Sequence, residues 1–246
     1  ATVLYIAPTK ALAYDQLRAI RERDVKGIRA AVCDGDSSHD ERAWARRHAN
    51  YLITNPDMLH HSILPGHESW TSFLRRLSLI VVDEAHTYRG VFGAHISAVM
   101  RRLRRICLHY GTDPRVFLAS ATIADPAISA ARLIGAPVTA IEQDSSPRPP
   151  MTIALWEPGL DDDGQLRSAL SETAELLADL VLDDQQCLGF VRSRRGAEVV
   201  ASRTRERVEG VDPTLAHRIA AYRGGYLPEE RRELERQLRE GELRAL

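Results

Sequence analysis

Asp83 and Glu84 follow directly on the apolar run Leu79-Ile80-Val81-Val82 and are followed by Ala85 and His86. Two adjacent carboxylates released from the end of a buried strand suit phosphoryl chemistry. One can hold a divalent cation that offsets the charge of a polyphosphate, and its neighbour can orient and deprotonate an attacking water. Taken alone, the pair reads equally as the acidic opening of a surface loop. Three other apolar runs also end in polar loops. Residues 3–6 lead into Ala7-Pro8-Thr9-Lys10, residues 51–54 into Asn55-Pro56-Asp57, and residues 116–119 into Ser120-Ala121-Thr122. If all four runs are parallel strands of one open sheet, their loops share the edge at which such sheets bind ligands. Hydroxyls, an amide, a lysine and two carboxylates then converge there.

That placement requires strands alternating with helices, and the pattern supplies them. Short apolar runs at residues 3–6, 28–33, 51–54, 79–82, 116–119 and 138–141 are separated by helical spacing at 12–23, 95–109 and 126–134. Near-continuous apolar strands alternating with helices predict an α/β fold with a parallel sheet covered on both faces. The segment QDSSPRPP, residues 143–150, breaks the rhythm and reads as a linker. The pattern then restarts. A strand is expected over 152–156, and a helix over 166–181 with Leu166, Leu170, Leu177 and Leu180 on one stripe. Further strands are expected at 186–191 and 217–222, with a helix at 194–208 between them. A last helix should open at Pro228, where Glu229 and Glu230 favour the positive end of its dipole. The expected layout is a first unit over residues 1–144, a linker at 145–150 and a second, incomplete unit over 151–246.

Composition limits the function classes. The 246 residues are 44% hydrophobic and 27% charged, with a net charge of −1, which describes a globular chain rather than one coated in nucleic acid. A neutral balance still permits a local basic channel, because phosphate contacts need only a few placed donors. No apolar run approaches the roughly 20 residues of a membrane-spanning helix. The opening ATVLYIAPTK has neither an initiator Met nor a signal-peptide n-region, so a longer parent chain is expected. Three widely spaced cysteines without CxxC point to a reducing, cytoplasmic setting. His60-His61 is not read as a metal site. Arg101, Arg102, Arg104 and Arg105 read as a solvated helix face, Gly90 and Gly93 as residues for a tight turn and close packing, and Asp161-Asp162-Asp163 as a loop or cap.

The ordered set APTKAL (7–12) with Gln16, TNPDM (54–58), DEAH (83–86) and SAT (120–122) resembles the motifs of superfamily-two helicases. DEAHTYRGVFGAH (83–95) and RRLRRI (101–106) are more specific, and resemble DNA-repair helicases of the MrfA/YprA type, with Lhr-type helicases next. FVRSRRGAE (190–198) and AYRGGYLPEERRELE (221–235) look like segments of the second motor domain of that family. The resemblance implies tandem RecA-like domains, both truncated, that use ATP and Mg²⁺. By the same resemblance Asp83 positions Mg²⁺ through its water shell and Glu84 is the general base. His86 links the nucleotide site to Ser120, Ala121 and Thr122, which couple hydrolysis to strand movement. Pro8, Thr9, Lys10, Thr54, Asn55 and Asp57 grip the sugar-phosphate backbone, joined by Ser193, Arg194, Arg223, Gly224 and Gly225 from the second domain. The implied partner is single-stranded or partly duplex DNA. An RNA helicase and a catalytically inactive nucleic-acid-binding scaffold stand as alternatives. No GxxxxGK[ST] loop and no QxxGRxxR motif occurs in the 246 residues, so this piece alone is expected to be inactive.

Overall fold

The computed structural model describes residues 1–246 except Thr122, Asp144, Arg148, Asp161 and Asp162. The chain divides into two compact units, Ala1–Pro147 and Arg148–Leu246.

Five parallel strands form the sheet of the first unit: β1 (Thr2–Ile6), β2 (Ala30–Cys33), β3 (Tyr51–Thr54), β4 (Leu77–Val82) and β5 (Arg115–Leu118). Their order is β2-β3-β1-β4-β5. β1, β3 and β4 are largely apolar because both faces are covered, whereas on the edge strand β5 Phe117 is 55% exposed. Leu4, Ile6, Leu52, Ile80 and Val82 point into one core, with Ile96, Met100 and Leu103 of α5 (Gly90–His109). Tyr5, Ala7, Val32 and Ile53 point into the other, against Ala13 and Leu17 of α1 (Lys10–Glu22). Burying side chains of this size contributes about 1.5–3 kcal/mol each. Since every pair is parallel, the carboxyl ends of all five strands lie along one edge.

Among the described residues this unit also has the three-residue turn α3 (Pro56–Met58) and the α-helices α2 (His39–His48), α4 (Thr71–Leu74) and α6 (Pro126–Ile134). The sequence reading missed α2, whose polar surface hides its period. Its start is marked by a capping box: Ser38 Oγ accepts from Glu41 N at 3.2 Å and Glu41 Oε2 accepts from Ser38 N at 2.7 Å. Two of the four arginines on α5 are not simply solvated. Arg101 donates to Ser97 Oγ at 2.5 Å, and Arg104 donates to the carbonyl of Gly135 at 3.1 Å, tying α5 to the end of α6. The run 138–141 forms no strand. Val138 packs on the core, but Ile141 is 87% exposed and the run finds no ladder partner among the described residues.

The second unit is built on α7 (Ala169–Leu182) packed against α8 (Arg194–Glu209), followed by α9 (Pro228–Arg239). Ala174, Leu177, Ala178 and Val181 of α7 are buried, whereas Leu166 and Leu180 are exposed, so the core stripe is rotated from the expected one. No strand forms over 152–156, where Leu155 is 99% exposed. Among the described residues the segments expected as strands at 186–191 and 217–222 form isolated parallel bridges rather than a ladder, Cys187 and Ile219 each with Ala245. Among the described residues no helix is long and apolar enough to cross a membrane.

Candidate active site and nucleic-acid interface

The chain leaves β1 toward β2 and β3 on one side, and leaves β4 toward β5 on the other. The loops after β1 and β4 therefore diverge. That is the switch point of an open α/β sheet, where a crevice for ligand forms. Asp83 and Glu84 open the loop after β4, and Thr9 and Lys10 open α1 after β1.

Backbone hydrogen bonds continue past the strand ends and stitch these loops together. Asp83 N donates to Ile6 O, Ala7 N to Thr54 O, Ala119 N to Val82 O and Ala85 N to Ala119 O, each at 2.9 Å. Asp83 Oδ1 accepts the Glu84 N–H at 2.9 Å, and Asp83 Oδ2 accepts the Tyr5 hydroxyl at 2.5 Å. Burial first, and the hydrogen bond to Asp83 second, hold the Tyr5 phenol well above its ordinary range. Glu84 is left-handed, at φ 47° and ψ 45°. Such a conformation strains a residue with a Cβ by about 1–3 kcal/mol. Thr87 holds it, donating to Glu84 O from its N–H at 2.9 Å and its hydroxyl at 2.8 Å. His86 Nδ1 lies 3.0 Å from Glu84 Oε2 but out of line for a hydrogen bond, so that nitrogen is buried without a partner. His86 therefore stands beside the Glu84 carboxylate. Ser120 and Ala121 are exposed beyond β5, and Thr122 lies outside the described residues.

The other loops of this edge are placed as follows. Thr9 caps α1, its hydroxyl accepting from Leu12 N at 3.3 Å. Lys10 Nζ lies 2.5 Å from Asp36 Oδ2 on the loop after β2. Asp34 shapes that loop, accepting from the N–H groups of Asp36 at 2.9 Å and Ser37 at 3.0 Å. Asn55 caps α3 by accepting from Met58 N at 2.8 Å, Asp57 is exposed, and Pro8 is half-buried. Thr54 departs from expectation. It is 1% exposed, and its hydroxyl donates to Cys33 O at 2.7 Å, so it holds β3 to β2 and offers nothing to a backbone phosphate.

In the second unit, Ser193 caps α8 by accepting from Gly196 N at 2.9 Å. Arg223 Nε donates to Glu198 Oε1 at 2.6 Å, the Tyr226 hydroxyl donates to the same oxygen at 2.8 Å, and the guanidinium lies 4.6 Å from the centre of the Tyr226 ring. The hydrogen bond from Tyr226, then that from Arg223, lower the Glu198 carboxyl. A Cβ at Gly225 would meet Arg223 Nη1 at 2.8 Å and Arg194 Nη1 at 3.9 Å. The start of α8 and the loop at 223–225 are thereby brought to one place, beside a cleft of about 560 Å³.

Residues 1–130 match the DEAD/DEAH box helicase family. The chain belongs to that family. It is 42% identical over 245 residues to the ATP-dependent helicase YprA of Bacillus subtilis, covering 98% of this chain and 32% of that protein. It is 37% identical to the ATP-dependent helicase HRQ1 of Saccharomyces cerevisiae, covering 100% of this chain and 24% of that protein. The DUF1998 helicase MrfA, solved bound to DNA and AMPPNP, superposes with a TM-score of 0.87 at 40% identity over 99% of this chain and 34% of its own. The chain thus spans about a third or less of the length of these relatives. The parallel five-stranded sheet is the RecA-like sheet of superfamily-two helicases.

Two side chains that contact candidate residues, one in each unit, were missed in the sequence. Tyr5 occupies a strand position that reads as core. Glu198 was quoted inside a motif without a role, and nothing local announces a partner 25 residues away.

Proposed function

We propose that the intact protein is an ATP-dependent DNA helicase that couples hydrolysis to movement along DNA, acting in DNA repair. The observation that carries this reading is the Asp83-Glu84 pair at the β1/β4 switch point, on the edge that also bears Lys10 and Asn55. MrfA, solved with DNA and AMPPNP at 40% identity, supports the substrate. The Lhr helicase of Mycobacterium smegmatis, solved with ssDNA and AMP-PNP at 26% identity, agrees with it.

The residues present fit Mg²⁺ bound with ATP. Mg²⁺ takes hard oxygen donors, commonly one or two carboxylates beside nucleotide phosphates and retained waters. Each oxygen of Asp83 accepts one hydrogen bond and keeps a lone pair. When bound, the ion offsets the charge that develops on the transferring phosphoryl group. Asp83 is the residue that would hold the ion, through its water shell. Glu84, lifted out by its left-handed backbone, takes the proton of the attacking water. His86 stands against Glu84, and the hydrogen bond from Ala85 N to Ala119 O carries the state of that loop toward Ser120, Ala121 and Thr122. Pro8, Thr9, Lys10, Asn55 and Asp57 hold the sugar-phosphate backbone. Ser193, Arg194, Arg223, Gly224 and Gly225 do the same from the second unit. Backbone contacts suit a motor, because they carry no sequence information.

In this reading residues 1–144 and 151–246 belong to the two RecA-like domains, joined at 145–150. The protein works in the cytoplasm, in keeping with three free thiols. The test is ATP turnover by the intact protein and its Glu84→Gln variant, with single-stranded DNA or RNA added. DNA stimulation that the variant loses is expected. Stimulation by RNA alone would overturn the substrate, and no turnover with either polymer would leave an inactive scaffold.

A further inference from the structure

Asp83 Oδ2 takes its hydrogen bond from a residue on another strand. Tyr5 lies on β1, opposite Val81 in the parallel register, two positions short of Asp83. Its ring is 9% exposed, belongs to the core that α1 closes with Ala13 and Leu17, and stacks on Tyr51 with centroids 6.3 Å apart. For packing, a phenylalanine would serve as well. The hydroxyl alone reaches the loop edge, where it meets Asp83 at 2.5 Å, the length of a hydrogen bond to an ionised carboxylate. The Glu84 N–H takes the other oxygen at 2.9 Å. One donor on each oxygen, from two different elements, fixes both the tilt and the rotation of the carboxylate plane.

We propose that Tyr5 is a positioning residue: its hydroxyl holds the Asp83 carboxylate in the orientation from which Asp83 binds the Mg²⁺ of a Mg–nucleotide. The inference rests on the reading of Asp83 given above. It goes beyond that reading by naming a residue of β1, the strand that leads into Thr9 and Lys10, as part of the metal site. Groups that orient a metal-binding side chain typically change metal affinity about 10- to 100-fold when removed. The low end applies where the ion is held through water.

The test uses Tyr5→Phe in the intact protein, a change that keeps the ring and its packing. Binding of a fluorescent, non-hydrolysable ATP analogue is titrated with Mg²⁺. The Mg²⁺ concentration at half-saturation should rise about tenfold, while analogue binding without Mg²⁺ stays at the wild-type level. Turnover should recover toward wild type at saturating Mg²⁺, which separates an affinity effect from lost chemistry. Tyr88→Phe is the control. The Tyr88 hydroxyl is also buried but has no hydrogen-bond partner among the described residues, so its removal should leave the midpoint in place. Asp83→Asn reports on the underlying reading. If Asp83→Asn displaces the Mg²⁺ curve and Tyr5→Phe does not, the positioning role is overturned and the metal site stands. If neither displaces it, the metal reading has failed and the inference falls with it. A lowered melting temperature with an unshifted midpoint marks Tyr5 as merely structural and also overturns the proposal.

Discussion

Replacing Gly93 with alanine tests how tightly the DEAH loop is packed. Gly93 lies in the first turn of α5, its N–H bonded to Arg89 O at 3.0 Å. A Cβ there would fall 2.4 Å from the carbonyl oxygen of Tyr88 and 2.7 Å from its carbonyl carbon. Both are backbone atoms, so no side chain can swing aside. The loop 83–88 or the start of α5 must move. Overpacking of this kind costs about 1–3 kcal/mol, and a clash against backbone belongs at the upper end. Alanine is a better helix former than glycine by about 1 kcal/mol, which opposes the loss. The net expectation is destabilisation by about 2 kcal/mol. For a unit of roughly 150 residues that corresponds to a melting temperature lowered by about 4–8 °C. Scanning calorimetry measures the loss, and turnover should fall with it because Tyr88 is two residues from His86. Ala98→Gly, on the exposed face of the same helix, isolates the propensity contribution at about 1 kcal/mol without a clash. A Gly93→Ala melt equal to or above wild type would refute the reasoning, since the helix-propensity gain would then stand alone.

Three further outcomes are expected. Cys33 and Cys107 are fully buried, and burial pushes both thiols up to about 11. A thiol reagent at pH 8 should therefore label chiefly the half-buried Cys187 in the folded protein and all three cysteines after denaturation; fast labelling of three would contradict the core. Glu198→Gln should lose the hold on Arg223. A carboxyl lowered in the folded state stabilises above its unfolded value of 4.5 and loses that contribution as pH falls through the lowered one. The difference between wild type and variant, small for so exposed a pair, should be present at pH 7 and fade as pH falls below 4.5 in melts run across that range. Ser38→Ala removes one half of the α2 capping box and should cost about 1 kcal/mol, and an unchanged melt would show that the cap is redundant.

The strands were legible where both faces are buried. The runs at 3–6, 51–54 and 79–82 needed no partner information, because a strand covered on both sides must be apolar throughout. Once those strands are parallel, the site edge follows from topology, and so Asp83, Lys10 and Asn55 were found together. Runs that depend on a neighbour were not legible in this way. Residues 152–156 have strand composition, yet Ile153 is 77% exposed and no ladder forms. The ends of strands misled in a different manner. Thr54 sits at the last position of β3, where side chains alternate between the two faces of the sheet, and its buried hydroxyl donates to Cys33 O. Tyr5 is the converse: its ring belongs to the core while its hydroxyl belongs to the site.

The residues read as backbone grips share a physical setting that their sequence spacing does not reveal. Thr9 and Ser193 are the N-caps of the 13-residue α1 and the 16-residue α8, each accepting from an N–H of the first turn. The N-terminus of a helix carries unpaired N–H groups and the positive end of its dipole, and so favours a phosphate. Beside each cap lies a cation already paired with a carboxylate, Lys10 with Asp36 and Arg223 with Glu198. These pairs are at least one-third exposed on both sides, so each is weak and would give way to a phosphate. A chain with a net charge of −1 can in this way hold a polyanion at chosen points without attracting it everywhere. In the proposed motor a grip has to let go with each step, and a carboxylate competitor beside each cation would return the site to its unbound state.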